Sequence, residues 1–172
     1  MAEIFLISDT HMAHANILKF THLDGSLTRP GFRDLPHMHS VIMENWCNVV
    51  RPQDTVYHLG DVAFHNYGLH LLDSLPGHKR LVRGNHDGMK TREYLTVFEE
   101  IYGVRQLNGY WLTHVPMHPQ SLGRAKANIH GHLHTRLVLG PDKSPDPRYV
   151  NVCVEQINYT PVSLDTIIAQ RG

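Results

Sequence analysis

Residues 4–11 read Ile4-Phe5-Leu6-Ile7-Ser8-Asp9-Thr10-His11. Four consecutive apolar residues, β-branched at both ends, stop abruptly at Ser8-Asp9, the pattern of a strand buried on both faces. Two further short runs end in the same way, residues 56–59 at Gly60-Asp61 and Leu81-Val82 at Gly84-Asn85. Apolar residues at 38, 41, 42, 46, 49 and 50 predict an amphipathic helix over 36–50, with Asp34 and Pro36 as start signals. Leu69, Leu71, Leu72 and Leu75 suggest another helix. Strands alternating with helices predict an α/β sheet in this half.

Beyond it, residues 91–102 read as a helix capped by Thr91, with Tyr94, Leu95, Phe98 and Ile101 on one face. The texture then becomes β-rich. Residues 104–107 and 110–113 flank Asn108-Gly109, a strong two-residue hairpin signal. Residues 127–130 and 149–154 suggest strands and 164–170 a closing helix, while 21–36 and 140–148 are rich in Gly, Pro and Asp and read as surface loops.

At 172 residues, with 41% apolar and 19% charged side chains, the chain has the size and composition of one globular domain spanning 1–172. Sixteen basic residues balance sixteen acidic ones, so no basic face for nucleic acid is expected. The unusual count is fifteen histidines. The amino terminus has no basic segment, and its apolar run is too short for a signal peptide or a membrane span, so a cytoplasmic protein without membrane contact is expected. Cys47 and Cys153 lie in apolar stretches and are expected as two buried thiols rather than a disulfide.

In open α/β sheets chemistry collects just past the carboxyl ends of strands. Here the expected ends carry Asp9-Thr10-His11, Gly60-Asp61, Gly84-Asn85-His86-Asp87, Thr113-His114 and Gly131-His132-Leu133-His134. Residues i and i+2 of extended chain share a side, so Asp9 and His11 can grip one ion together, and His132 and His134 two neighbouring ions. Oxygen and nitrogen donors without a thiolate suit manganese, iron, zinc, nickel or cobalt better than copper(I). A histidine outside any motif is ordinarily a core or surface residue, a reading that suits His22, His37, His39, His70 and His78. His130 either backs the site or packs in its strand, and His14, His58, His65, His118 and Arg124 are placed either to touch substrate or to be solvated.

The ordered set D-x-H, G-D, G-N-H-D, H and G-H-x-H resembles the calcineurin-like metallophosphoesterase superfamily over residues 4–134. The tail around Asn151-Val152 and residues 161–164 resembles its small single-domain bacterial and phage-type branch. The resemblance implies a two-sheet β-sandwich flanked by helices and two divalent metal ions. Asp9, His11, Asp61 and His134 would bind one ion and Asp61, Asn85, His114 and His132 the other, with Asp61 bridging. Manganese is expected first, with iron, zinc, nickel or cobalt as alternatives. Two ions, two aspartates and a hydroxide leave a local charge of about +1, which attracts phosphate without a basic face. A water shared by ions about 3.5–4 Å apart ionises near neutral pH and attacks phosphorus in line. His86 is then expected to protonate or hydrogen-bond the leaving oxygen, with Asp87 orienting its ring.

The expected activity is metal-dependent hydrolysis of small phosphate esters. A phosphodiesterase on nucleotide-like or cyclic-nucleotide substrates is favoured, because no arginine cluster is evident to hold a dianionic monoester. A phosphomonoesterase or nuclease using the same residues, and a metal-stabilised non-catalytic scaffold, are the rival readings. Three and four residues after the bridging aspartate the protein Ser/Thr phosphatase branch has Asp and Arg, whereas this chain has Phe64 and His65, so that activity is not expected. A chain this short predicts an open, shallow site.

Overall fold

The structure, a computed structural model, describes residues 1–171. Along the chain, β1 (Ile4–Ile7) leads through a short turn of helix at Ala15–Lys19 to α1 (Leu35–Val49), β2 (Thr55–His58), α2 (Asn66–His70) and β3 (His78–Val82). There follow α3 (Thr91–Tyr94), β4 (Glu100–Tyr102), β5 (Arg105–Leu107), β6 (Tyr110–Thr113), β7 (Ala127–His130), β8 (Tyr149–Asn151), β9 (Val162–Ser163) and α4 (Leu164–Ala169). One sheet has the order β4-β3-β2-β1-β9 and the other β5-β6-β7-β8. In the first, β1 to β4 are parallel, with Ile4 opposite Thr55 and Leu81 opposite Ile101, and β9 is antiparallel at the edge. In the second, β5 and β6 are antiparallel and β6, β7 and β8 run parallel. The expected mixed α/β architecture, two sheets flanked by helices, is the observed one.

Alternation along β1 sets the layers. Phe5 and Ile7 pack with Met38, Ile42 and Trp46 of α1, whereas Leu6 packs with Leu112 and Ile129 of the second sheet. A one-residue slip of β1 would exchange these faces, so the register is strongly specified. The start of α1 is as its sequence dictates: Asp34 accepts a hydrogen bond from the His37 amide at 2.8 Å, with Pro36 in the first turn. Asn108 and Gly109 form the β5–β6 turn with φ of 50° and 86°, the conformation that favours this dipeptide.

Three elements differ from their expected form. Residues 91–102 are not one helix: Tyr94 and Phe98 are buried, Leu95 is about half exposed, and Glu100–Tyr102 pair with β3 as a strand. The open edge of β3 overrides the local helical period. The helix expected around Leu69–Leu75 is regular only to His70, after which Leu72 and Leu75 reach the core through successive tight turns. The strand expected over 149–154 leaves the second sheet after Asn151, and Cys153 instead bridges Ser8 at the end of β1. Cys153 is buried as expected, but Cys47 is exposed on α1. Among the described residues no helix is long and apolar enough to cross a membrane.

Candidate metal centre

The parallel strands of both sheets deliver their chains to one place, and hydrogen bonds fasten the ends together. The Asp9 amide donates to Gly60 O and the His11 amide to Asp61 O, both at 3.0 Å. The His132 amide donates to Asp9 Oδ2 at 2.8 Å, which joins β7 to β1 across the two sheets. The His86 amide donates to Asp61 Oδ1, and His114 Nδ1 lies 2.8 Å from Leu59 O.

Two clusters result, Asp9 with His11 and His134, and Asp61 with His114 and His132, each offering donor atoms within 4.8 Å of one another. Asp9 Oδ1 is 3.7 Å from both His11 Nε2 and His134 Nε2. Asp61 Oδ2 lies between the clusters, 3.7 Å from His11 Nε2 and 3.4 Å from His114 Nε2. Asn85 Oδ1 approaches His114 Nε2 at 2.8 Å, so its amide stands at the second cluster. All seven residues expected to hold metal are thus brought together.

Their donor atoms fit divalent cations. Asp9 Oδ1 and His11 Nε2 are buried with no hydrogen-bond partner among the described residues, a costly state for a carboxylate oxygen and an imidazole nitrogen unless an ion completes them. His134 Nδ1 is 2.8 Å from Glu155 Oε1, and His114 Nδ1 is held by a carbonyl, leaving each Nε2 aimed at its cluster. An acceptor on the far nitrogen is how metal-bound histidines are ordinarily oriented.

The backbone is bent to make this array. Asp9, His11, Asp61, His132 and His134 have φ of 58°, 48°, 53°, 68° and 51°. Each left-handed non-glycine residue costs about 1–3 kcal/mol and persists where its surroundings over-determine it. Gly131 is needed because a Cβ there would overlap Ser8 Oγ and Asp9 Oδ2, and Gly84 because one there would overlap Asp61.

Burial by itself would raise the Asp9 carboxyl, but the neighbouring imidazoles of His11, His114 and His134 outweigh it and hold Asp9 well below the usual carboxylate range. For His114 burial is outweighed by Asp61 and Asp9, and for His134 by Glu155, so both rings titrate above an ordinary histidine. Burial pushes His58 down to about 3; it is fully enclosed beneath the site, bonded to Thr10 Oγ1 at 2.9 Å, and touches no substrate space. His14 is pushed down to about 4, chiefly by burial and then by His11 and His86, and stacks on Phe64 with ring centres 3.7 Å apart. His130 is buried in β7, its Nδ1 2.8 Å from Gly131 O.

One expected role is corrected. Asp87 does not orient the His86 ring: its carboxylate accepts from the Asp61, Val62 and Gly84 amides at 3.0, 2.9 and 2.7 Å, tying the β2 and β3 turns together. Arg29 carries no sequence signal that singles it out and Glu155 only a faint one, yet they brace the site. Arg29, only 1% exposed, donates to Glu155 Oε1 at 2.7 Å, to Asp9 O at 2.6 Å and to Thr10 O at 3.2 Å. Glu155 is the lone acid between Asp146 and Asp165, which is the one hint available. Cys153 Sγ lies 3.2 Å from Asp9 Oδ2.

Fold and site together define an α/β protein that carries a paired candidate metal centre at the carboxyl ends of strands from two sheets. The chain is 39% identical over 175 residues to the uncharacterized protein MJ1445 of Methanocaldococcus jannaschii, covering 98% of this chain and 90% of that protein, and it belongs to the same family. The crystal structure of the protein of unknown function AQ665 from Aquifex aeolicus superposes with a TM-score of 0.71 at 30% identity, covering 99% of this chain and all of that one. Gene 66 protein of Mycobacterium phage L5 is 29% identical over 93 residues, 51% of this chain and 41% of the phage protein. No family model matches the chain.

Proposed function

We propose that the chain is a metallophosphoesterase that hydrolyses phosphate esters at a dinuclear site, with phosphodiesters of nucleotide-like or cyclic-nucleotide type as its substrates. The observation that carries this reading is the pair of clusters joined through Asp61 Oδ2, with buried donor atoms of Asp9 and His11 left unpaired. Asp9, His11 and His134 would hold one ion, Asn85, His114 and His132 the other, and Asp61 both. When bound, two such ions supply a water of lowered pKa and neutralise the charge of the phosphoryl oxygens.

The protein's own part is orientation and proton transfer. The His86 amide is fixed on Asp61 while its ring, 5.4 Å from that of Phe64 and 6.0 Å from that of His11, stands exposed at the rim. From there it protonates or hydrogen-bonds the departing oxygen. Asp87 acts only by setting the Asp61 and Asn85 turns. His86→Ala is therefore expected to keep its metal and lose about a hundredfold in kcat on an alkyl leaving group, while a p-nitrophenyl ester, whose leaving group needs no proton, changes by less than about threefold. Loss of metal from His86→Ala, measured by elemental analysis, would contradict this role.

The test of the function is elemental analysis of the purified protein with hydrolysis of bis-p-nitrophenyl phosphate before chelation, after it, and after return of Mn²⁺. About two metal ions per chain and turnover that disappears and returns are expected. A fully metallated protein inert on diesters and monoesters alike would overturn the reading.

The raised histidines set a pH dependence. Below about pH 6.5 His114 and His134 are protonated in the metal-free protein, and their ion pairs with Asp61 and Glu155 add stability that is lost as pH rises through their folded pKa values. Metal requires the neutral rings and gains as pH rises. The increase in Tm on adding Mn²⁺ is thus expected to be small at about pH 6 and much larger at about pH 8, read by thermal melts with and without the ion. An increase independent of pH would refute it.

A further inference from the structure

Beside His134 a cavity of about 810 Å³ opens between the segment 17–28 and residues 133–136, within the range of small-molecule sites of about 300–1,000 Å³. Its walls include Ile17, Phe20, Leu23 and Leu133, with Thr28 and Arg136 at polar positions. Leu23 is fully exposed and Phe20 is 47% exposed, so apolar surface is left open beside the candidate metal centre.

The wall is preformed. Thr28 N donates to Phe20 O and His22 N to Ser26 O, each at 2.8 Å, and Asp24 Oδ1 accepts from both the amide and the hydroxyl of Ser26. This small hairpin is anchored directly at Arg29, buried beneath Asp9. On the other side, Asn151 Nδ2 donates to the carbonyls of His134 and Arg136 at 2.9 Å, while the Arg136 guanidinium has no hydrogen bond among the described residues. Rings continue from the cavity toward His86: Phe20 meets His14 edge-on at 5.6 Å, His14 stacks on Phe64, and Phe64 neighbours His86.

We propose that this groove binds the nucleoside arm of the phosphate ester, the base lying against Phe20 and Leu23 and its polar edge facing Thr28 and Arg136. The inference rests on the phosphoesterase reading and adds to it the groove that receives the nucleoside arm and so selects a nucleoside ester over a simple alkyl one. A flat heterocycle has apolar faces and a hydrogen-bonding edge, which matches apolar walls beside a hydroxyl and a free guanidinium; an alkyl chain would leave both polar groups unanswered.

The test keeps the leaving group constant and varies only the other arm. With the Mn²⁺-loaded protein, p-nitrophenyl thymidine 5′-phosphate is expected to show a kcat/KM at least about tenfold above that of methyl p-nitrophenyl phosphate. Leu23→Ser and Arg136→Ala, both at exposed positions, should shrink that preference severalfold while leaving the methyl ester within about twofold of wild type. Calorimetric binding of thymidine 5′-monophosphate should weaken about tenfold in the double variant. Equal kcat/KM for the two esters, or variants that bind the nucleotide as wild type does, would overturn the groove and leave the phosphoesterase reading standing. Nucleotide binding that is sensitive to the variants, with neither ester turned over, would do the reverse. Variants that alter self-association but not nucleotide binding would mark the exposed Phe20 and Leu23 surface as a protein contact and refute the proposal.

Discussion

Asp61→Asn is expected to strip metal from both clusters at once. Among the described residues Asp61 Oδ2 is the one carboxylate oxygen within 4.0 Å of both His11 Nε2 and His114 Nε2, and the amide removes its negative charge while keeping its shape. Metal content should fall from about two ions per chain to below one, and diester turnover should drop by more than the ~10–100-fold typical of losing an outer partner of a metal ligand. The fold should survive, because the amide oxygen still accepts from the His86 backbone as Oδ1 does now. Melts of the chelated variant and chelated wild type should agree more closely at about pH 8 than at about pH 6, where the variant lacks the ion pair between Asp61 and protonated His114. An Asp61→Asn protein that still holds two ions would show that the clusters do not share this residue.

The second large effect is on stability and comes from Arg29→Met. The guanidinium is buried with Glu155, Asp9 O and Thr10 O as its acceptors. Removing one partner of a buried pair leaves the other charge uncompensated, a cost of about 3–5 kcal/mol. Glu155, held below the ordinary glutamate range although burial opposes it, chiefly through His134 and then Arg29, would be left with His134 alone. Urea unfolding of the metal-free protein measures the loss, and the double variant Arg29→Met, Glu155→Gln should recover part of it because the orphaned charge is gone. A cost of Arg29→Met below about 1 kcal/mol would show that the arginine does not brace the site.

How far the sequence could be read depended on whether the signal was local. β1, α1 and the β5–β6 hairpin follow from apolar runs, a capping aspartate and an Asn-Gly pair that act within a few residues, and they form as expected. The stretch 91–102 did not follow, because its last residues complete an edge of β3 that local period cannot anticipate. The same distinction holds in the site. Donors at strand ends are visible as motifs, and they converge in the structure. Arg29 lies in a stretch that reads as an exposed loop, and its partner is 126 residues away, so neither could be seen from its own surroundings. Asp87 sits inside a motif but serves the backbone of a neighbouring turn, a role that residue type alone does not distinguish from catalysis.

The five left-handed residues of the centre have a further implication for anyone altering it. Aspartate and histidine are among the few non-glycine types enriched in that region of backbone space, and they are also hard or borderline donors. Each position is therefore specified twice, once by reach toward an ion and once by tolerance of its own dihedral angles. Exchanging Asp for Glu, or His for Gln, would relocate the donor and penalise the main chain in the same stroke. Re-engineering metal preference here calls for redesigned loops rather than substituted ligands.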